Sequence, residues 1–136
     1  MANPLKILII DDLKSARRIL IKLLEDAAEF TASEADDGQQ ALELINNNNF
    51  DIILSDCNMP KMNGLELLVR VRSQEKTKHL PFIMVTATAE KETIEKALAL
   101  GVSDIMIKPF TSTTLKSKIS EVISKIAIAP PEPTAS

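Results

Sequence analysis

Short apolar runs alternate with amphipathic ones from one end of this chain almost to the other, and few folds accept that order. Leu5 to Ile10 (LKILII) reads as a strand, and Ala16, Ile19, Leu20, Leu23, Leu24 and Ala27 then recur at helical spacing. Phe30 to Ala35 (FTASEA) is a weaker, partly polar strand suited to a sheet edge. The helical face of Gly38 to Asn46, with Ala41, Leu42 and Ile45, runs on until NNNN stops it. Asp51 to Asp56 (DIILSD) is apolar on both faces, as a central strand covered above and below should be. A helix over Gly64 to Ser73, a strand in PFIMVTA, and a helix over Glu90 to Leu100 ended by Gly101 follow. The strand DIMIKP comes next, and then a helix over Thr113 to Ile126 that carries Leu115, Ile119, Val122, Ile123 and Ile126 in register. Repeated strand-helix units of this kind predict a parallel sheet with helices on both faces, because right-handed crossovers leave no other compact arrangement.

A chain of 136 residues suffices for one core and not for two. The predicted domain covers residues 1–127, and the Pro-rich 128–136 (APPEPTAS at its end) is a disordered tail or linker. With no Trp or Tyr and four Phe, the core must be aliphatic. A net charge of −3 argues against a nucleic-acid surface, which needs clustered Lys and Arg. The one cysteine, Cys57, cannot form an internal disulfide, no run approaches a membrane span, and no secretory segment is completed. A soluble, cytoplasmic protein is expected.

The chemistry gathers where strands end. In an open parallel sheet, ligands bind beyond the carboxyl ends of the strands, where strand order reverses. Asp11 and Asp12 close the first strand, Asp56 the third, Thr86 the fourth and Lys108 the fifth, all on one rim. An acid at the end of a buried run is costly to desolvate unless a cation or donors meet it. Carboxylates crowded together call for a hard divalent ion, and Mg²⁺ suits an all-oxygen set that keeps several waters. Asp56, alone at the end of the central strand, is the best nucleophile candidate; Lys108 adds a fixed charge and Thr86 a hydroxyl for an anionic oxygen. The turn at Asn58, Met59 and Pro60 opens a loop whose carbonyls can reach the same cation. Each member has an ordinary reading. An Asp pair can simply open a helix, Thr86 can be a β-former, and Lys108 a surface lysine. Their convergence on one rim is what ordinary readings do not explain.

The blocks LIIDD, SDCNMPKMNGLELL, MVTATAEKE and IKPFT, in that order and spacing, resemble the receiver domain of bacterial response regulators, in particular its stand-alone chemotaxis-type members. The likeness runs from Leu5 to about Ile126. It implies a doubly wound, five-stranded parallel sheet of order 2-1-3-4-5 with five helices, flavodoxin-like and CheY-like. It implies Asp56 as the phosphorylated residue, Mg²⁺ on Asp12, Asp56 and the Asn58 carbonyl, and Asp11 reaching the metal through water. Lys108 would bridge to the phosphate, Thr86 would turn inward to bond it, and Lys108-Pro109 would suit a cis peptide. Asn58 and Thr88 fall where the family tunes hydrolysis of the acyl phosphate. The implied partners are a histidine kinase as phosphodonor and a downstream target, such as the flagellar motor switch, on the face of the fourth helix, fifth strand and fifth helix. Lys91 and Lys118 lie on that face as partner contacts or as solvated lysines. One departure stands out: where many receivers carry an aromatic residue three before the lysine, this chain has Ile105, which has neither ring nor hydroxyl to follow Thr86.

Such a protein is a monomeric phospho-acceptor switch more than a metabolic enzyme. An aspartyl-phosphate phosphatase would want a second acid two residues past the nucleophile, where Asn58 stands. A flavin carrier would want a Ser/Thr-rich loop after the first strand and an aromatic sandwich, and a receiver cut from a longer regulator would use the Pro-rich tail as linker. His79, the sole histidine, reads as a surface loop residue on the opposite rim, and Cys57 as packing with a disfavoured thiolate. Asn46 to Asn49 read as a helix stop in which Asn tolerates left-handed backbone.

Overall fold

The computed structural model describes residues 4–25, 30–59, 62–87 and 90–128, with the backbone alone for residues 25 and 125–128. The elements run β1 (Leu5–Ile10), α1 (Lys14–Glu25), β2 (Phe30–Ala35), α2 (Gly38–Asn47), β3 (Ile52–Asp56), α3 (Gly64–Ser73), β4 (Phe82–Thr86), α4 (Lys91–Ala99), β5 (Asp104–Ile107) and α5 (Ser112–Ile128). All strand pairings are parallel, in the order β2-β1-β3-β4-β5, so the expected doubly wound sheet is the observed one. Thr88 and the tail beyond Ile128 lie outside the described residues.

Alternation along each strand sends its side chains into two cores. Leu8, Ile10, Ile53, Phe82 and Met84 meet α2, α3 and α4 through Ala41, Ile45, Leu67, Leu68, Val71 and Ala97. Ile7, Ile9, Ile52, Leu54, Ile83 and Val85 meet α1 and α5 through Leu20, Leu24, Leu115, Ile119 and Val122. β3 and β4 are apolar on both faces because both are covered, whereas β2 at the edge leaves Thr31, Ala32 and Ser33 exposed. Burying a strand's aliphatic side chains stabilises the fold by roughly 1.5–3 kcal/mol each. That rigidity is what lets β3 carry an acid at its end.

Two expectations need correction. Ile19 is 61% exposed; the buried stripe of α1 runs through Leu20 and Leu24 toward the partly buried Ile21, which turns Ile19 outward. The Asn run does not use left-handed backbone at the helix end: Asn48 is extended, with φ −142. Instead the Asn47 and Asn48 side-chain amides donate to the Glu43 and Leu44 carbonyls at 2.9 and 3.0 Å, folding back on the last turn of the helix. Gly101 does end α4 as expected. With φ +89 it lets its own N–H reach the Leu98 carbonyl and the Val102 N–H reach that of Ala97.

Candidate metal and phosphoryl site

β1 and β3 are neighbours whose register pairs Ile10 with Ser55, so the next residues, Asp11 and Asp56, leave the sheet side by side. Asp12 follows at the surface. One carboxylate oxygen from each of Asp11, Asp12 and Asp56 lies within 4.8 Å of the others. Asp11 is 2% exposed and every polar atom of it is engaged. Its Oδ1 accepts from the Leu13 N–H at 3.0 Å and its Oδ2 from Lys108 Nζ at 3.2 Å. Its own N–H donates to the Ala35 carbonyl at 3.2 Å, and its carbonyl accepts from Arg17 Nη1 at 2.6 Å.

Lys108 reaches this rim because β5 ends beside β4, its N–H donating to the Thr86 carbonyl at 2.8 Å, and the Lys108-Pro109 peptide is cis. Its Nζ is 4.0 Å from Asp56 Oδ1. One ammonium thus faces three carboxylates, and the pKa of Asp56 is raised to about 6. Burial is the main cause; the Asp11 charge adds to it, Lys108 and the Cys57 N–H pull the other way, and Asp12 adds a little. A carboxylate so placed is more basic than an ordinary aspartate yet still ionised at neutral pH.

The loop after Asp56 is held by close packing. Gly64 opens α3 against β3, its N–H donating to the Cys57 carbonyl at 2.9 Å; a Cβ there would collide with the Asp56 carbonyl oxygen and lie 2.9 Å from Met84 Sδ. Gly38, at the start of α2, abuts Met62 in the same way, its N–H bonded to the Met62 carbonyl. Asn63 and Glu66 form a reciprocal capping box that fixes where the loop becomes α3.

The remaining expected residues fall as follows. Thr86 is buried at the end of β4. Strand register pairs Met84 with Ile105, and Thr86 shares the Met84 face by alternation, so Thr86 and Ile105 look toward the same core. Asn58 is exposed two residues past Asp56. Lys91 is exposed in the first turn of α4. Lys118 is not a solvated lysine: its Nζ pairs with Asp104 Oδ2 at 3.0 Å. Cys57 is buried, and burial together with Asp56 and Glu90 raises its thiol pKa, so it packs as expected. His79 is exposed in the loop before β4, away from the acids.

The donors suit a hard divalent cation: three carboxylates, one buried, with no imidazole or thiolate among them. The sequence did not reveal Arg17, Gly38 or Gly64 as parts of this site. An arginine on an amphipathic helix looks like any solvated one, and a glycine's close approach depends on which loop meets it.

A family model described as the response regulator receiver domain matches residues 7–120. A chemotaxis protein CheY from Pseudomonas aeruginosa is 44% identical over 122 residues, covering 90% of this chain and 98% of that protein. The solved structure of chemotaxis protein CheY4 from Vibrio cholerae aligns with a TM-score of 0.82 at 34% identity, over 88% of this chain and 98% of that one. The receiver domain of a sensor histidine kinase from Pseudomonas aeruginosa, solved with a magnesium ion coordinated in its active-site cleft, aligns with a TM-score of 0.82 at 26% identity, over 89% and 98% of the two chains.

Proposed function

Since the chain belongs to the response regulator receiver family, whose members are phospho-accepting switches and not metabolic enzymes, we propose that it takes a phosphoryl group onto Asp56 from a histidine kinase. The observation that carries this reading is the meeting of Asp11, Asp12 and Asp56 within 4.8 Å, with Lys108 beside them. The Asp56 carboxylate forms the new O–P bond as the P–N bond of a phosphohistidine breaks. β3 holds that oxygen rigidly, and its raised pKa suits a nucleophile. Lys108 lies close enough to pair with an added phosphoryl oxygen, and the hydroxyl of the buried Thr86, at the end of the neighbouring strand, would turn to donate to another. Asp11, Asp12, Asp56 and the Asn58 carbonyl would hold Mg²⁺, which when bound neutralises charge on the transferring group. The all-oxygen donor set and the magnesium in the cleft of the similar receiver both favour that metal.

The output is altered binding of a downstream protein on the α4-β5-α5 face. Thr86 and Ile105 share a core there, and movement of the hydroxyl toward a phosphate would repack the isoleucine. The names of the similar proteins favour chemotaxis; the flagellar motor switch as target and a cytoplasmic setting belong to that reading. On that face Lys91 is open to a partner, whereas Lys118 must first leave Asp104.

Incubation with a small phosphodonor and Mg²⁺, followed by intact-mass spectrometry, tests the acceptor. The wild type should gain one phosphoryl group, and it should gain none after chelation or in Asp56→Asn. No adduct on the wild type, or one that survives Asp56→Asn, overturns the reading.

A further inference from the structure

The carboxylate pair at the end of β1 needs something to fix its backbone, because the loop from Asp11 to Leu13 leaves the sheet at the rim and Asp12 is exposed. Arg17, one turn into α1, sits over that loop with its side chain only 12% exposed. Its guanidinium makes two bonds at once: Nη1 to the Asp11 carbonyl at 2.6 Å and Nε to Glu34 Oε1 at 2.8 Å. Glu34 is anchored in turn on β2, opposite Ile9 of β1. The fork therefore ties the Asp11 carbonyl to β2, adding to the bond that the Asp11 N–H already makes to the Ala35 carbonyl, immediately before the exposed Asp12. Glu34 offsets the Arg17 charge locally, so what the pair adds at a cation-binding rim is a fixed placement of the Asp11 carbonyl more than a positive field.

We infer that Arg17 is a positioning residue for the proposed metal site, holding the Asp11-Asp12 backbone through its paired bonds to the Asp11 carbonyl and Glu34. The inference rests on the Mg²⁺ reading above. Partners that orient metal ligands typically account for about 10- to 100-fold in affinity. Charge and geometry make opposite predictions here. If Arg17 acted only as a nearby positive charge, removing it would tighten Mg²⁺ binding and a lysine would restore the native value. If its planar fork positions the loop, both changes weaken binding, because an ammonium lacks the fixed spacing to serve both acceptors together.

Isothermal titration of the full chain with MgCl₂ separates these, with thermal melts run alongside. Arg17→Met should weaken Mg²⁺ binding about 10-fold, and Arg17→Lys should weaken it several-fold. Arg18→Met removes the same charge from a side chain 62% exposed and 4.0 Å from Glu34, and should leave affinity at or slightly above the native value. Native or tighter binding by Arg17→Met overturns the inference; should that variant fail to fold, native affinity in Arg17→Lys does so equally. A wild type that takes up no Mg²⁺ sinks the metal reading itself, which is a distinguishable result.

Discussion

The two rims of the sheet solve the same problem in opposite ways. At the amino-terminal rim, charged side chains end on backbone groups. Asp51 accepts from the Lys6 N–H at 2.8 Å, Lys76 donates to the Asn46 carbonyl at 2.8 Å, and Arg72 donates to the carbonyls of Leu80 and Gly101 at 2.7 and 3.0 Å. At the carboxyl-terminal rim, three carboxylates crowd together with Lys108 among them, and the pKa of Asp56 climbs to about 6. One rim spends its charges on closing the fold. The other leaves like charges facing each other, an arrangement that costs stability and that a divalent cation would relieve. The lesson is that a site shows itself by uncompensated charge more than by any single residue.

Substitution should therefore trade in opposite currencies at the two rims. Arg72→Ala, at the first, leaves the Leu80 and Gly101 carbonyls without their donor and removes a stem packed beside Gly101. Charge-assisted bonds of this kind are worth about 1.5–3 kcal/mol each, so a loss of roughly 2–3 kcal/mol is expected once water replaces part of them. Urea melts should show it. Mg²⁺ affinity and the phosphoryl adduct should not change, and a change in either would break the separation between the rims.

Asp56→Asn, at the second rim, should do the reverse: no adduct, and a more stable metal-free fold. The folded pKa of Asp56 lies above its ordinary value of 3.8. Between pH 3.8 and about 6 the folded state keeps a proton that the unfolded chain has released, so stability falls as pH rises through that window. Asparagine removes this dependence. Its advantage over wild type should be absent near pH 3, grow up to about pH 6 and then level off, at roughly 1–2 kcal/mol after solvent screening. Thermal melts at a series of pH values, without Mg²⁺, measure it. Adding Mg²⁺ should raise the wild-type Tm more than the variant's.

Most of the fold was legible because its determinants are local. The β-branched runs, the stripe through Leu115, Ile119 and Val122, and the Gly101 stop each depend on spacing alone. The rim of Asp11, Asp12, Asp56, Thr86 and Lys108 was legible because a parallel sheet puts all strand ends on one side. What stayed hidden depends on contacts between distant segments. Arg17 matters only because β2 places Glu34 beside it, and Gly38 only because Met62 presses on it. Lys118 looked solvated because Asp104, fourteen residues away, comes near it only when β5 packs on α5. Ile19 was misjudged because a helix of this length has apolar residues on more than one side, and packing decides which side is buried.

The smallest effect probes the amino-terminal rim where it is most exposed. Asp51 and Lys6 exchange two bonds across the start of β3 and the start of β1: Asp51 Oδ2 accepts the Lys6 N–H, and the Asp51 N–H donates to the Lys6 carbonyl at 2.8 Å. Only the first involves the side chain, and it lies at the surface, where water can take over as donor and acceptor. Asp51→Ala should therefore cost about 0.5–1 kcal/mol. Asp51→Asn should cost less, since its amide oxygen still accepts. Both variants should bind Mg²⁺ as the wild type does, although each removes a negative charge from an acidic protein. Weakened Mg²⁺ binding in either would mean that the whole chain's charge, and not the cluster at the opposite rim, draws the cation in.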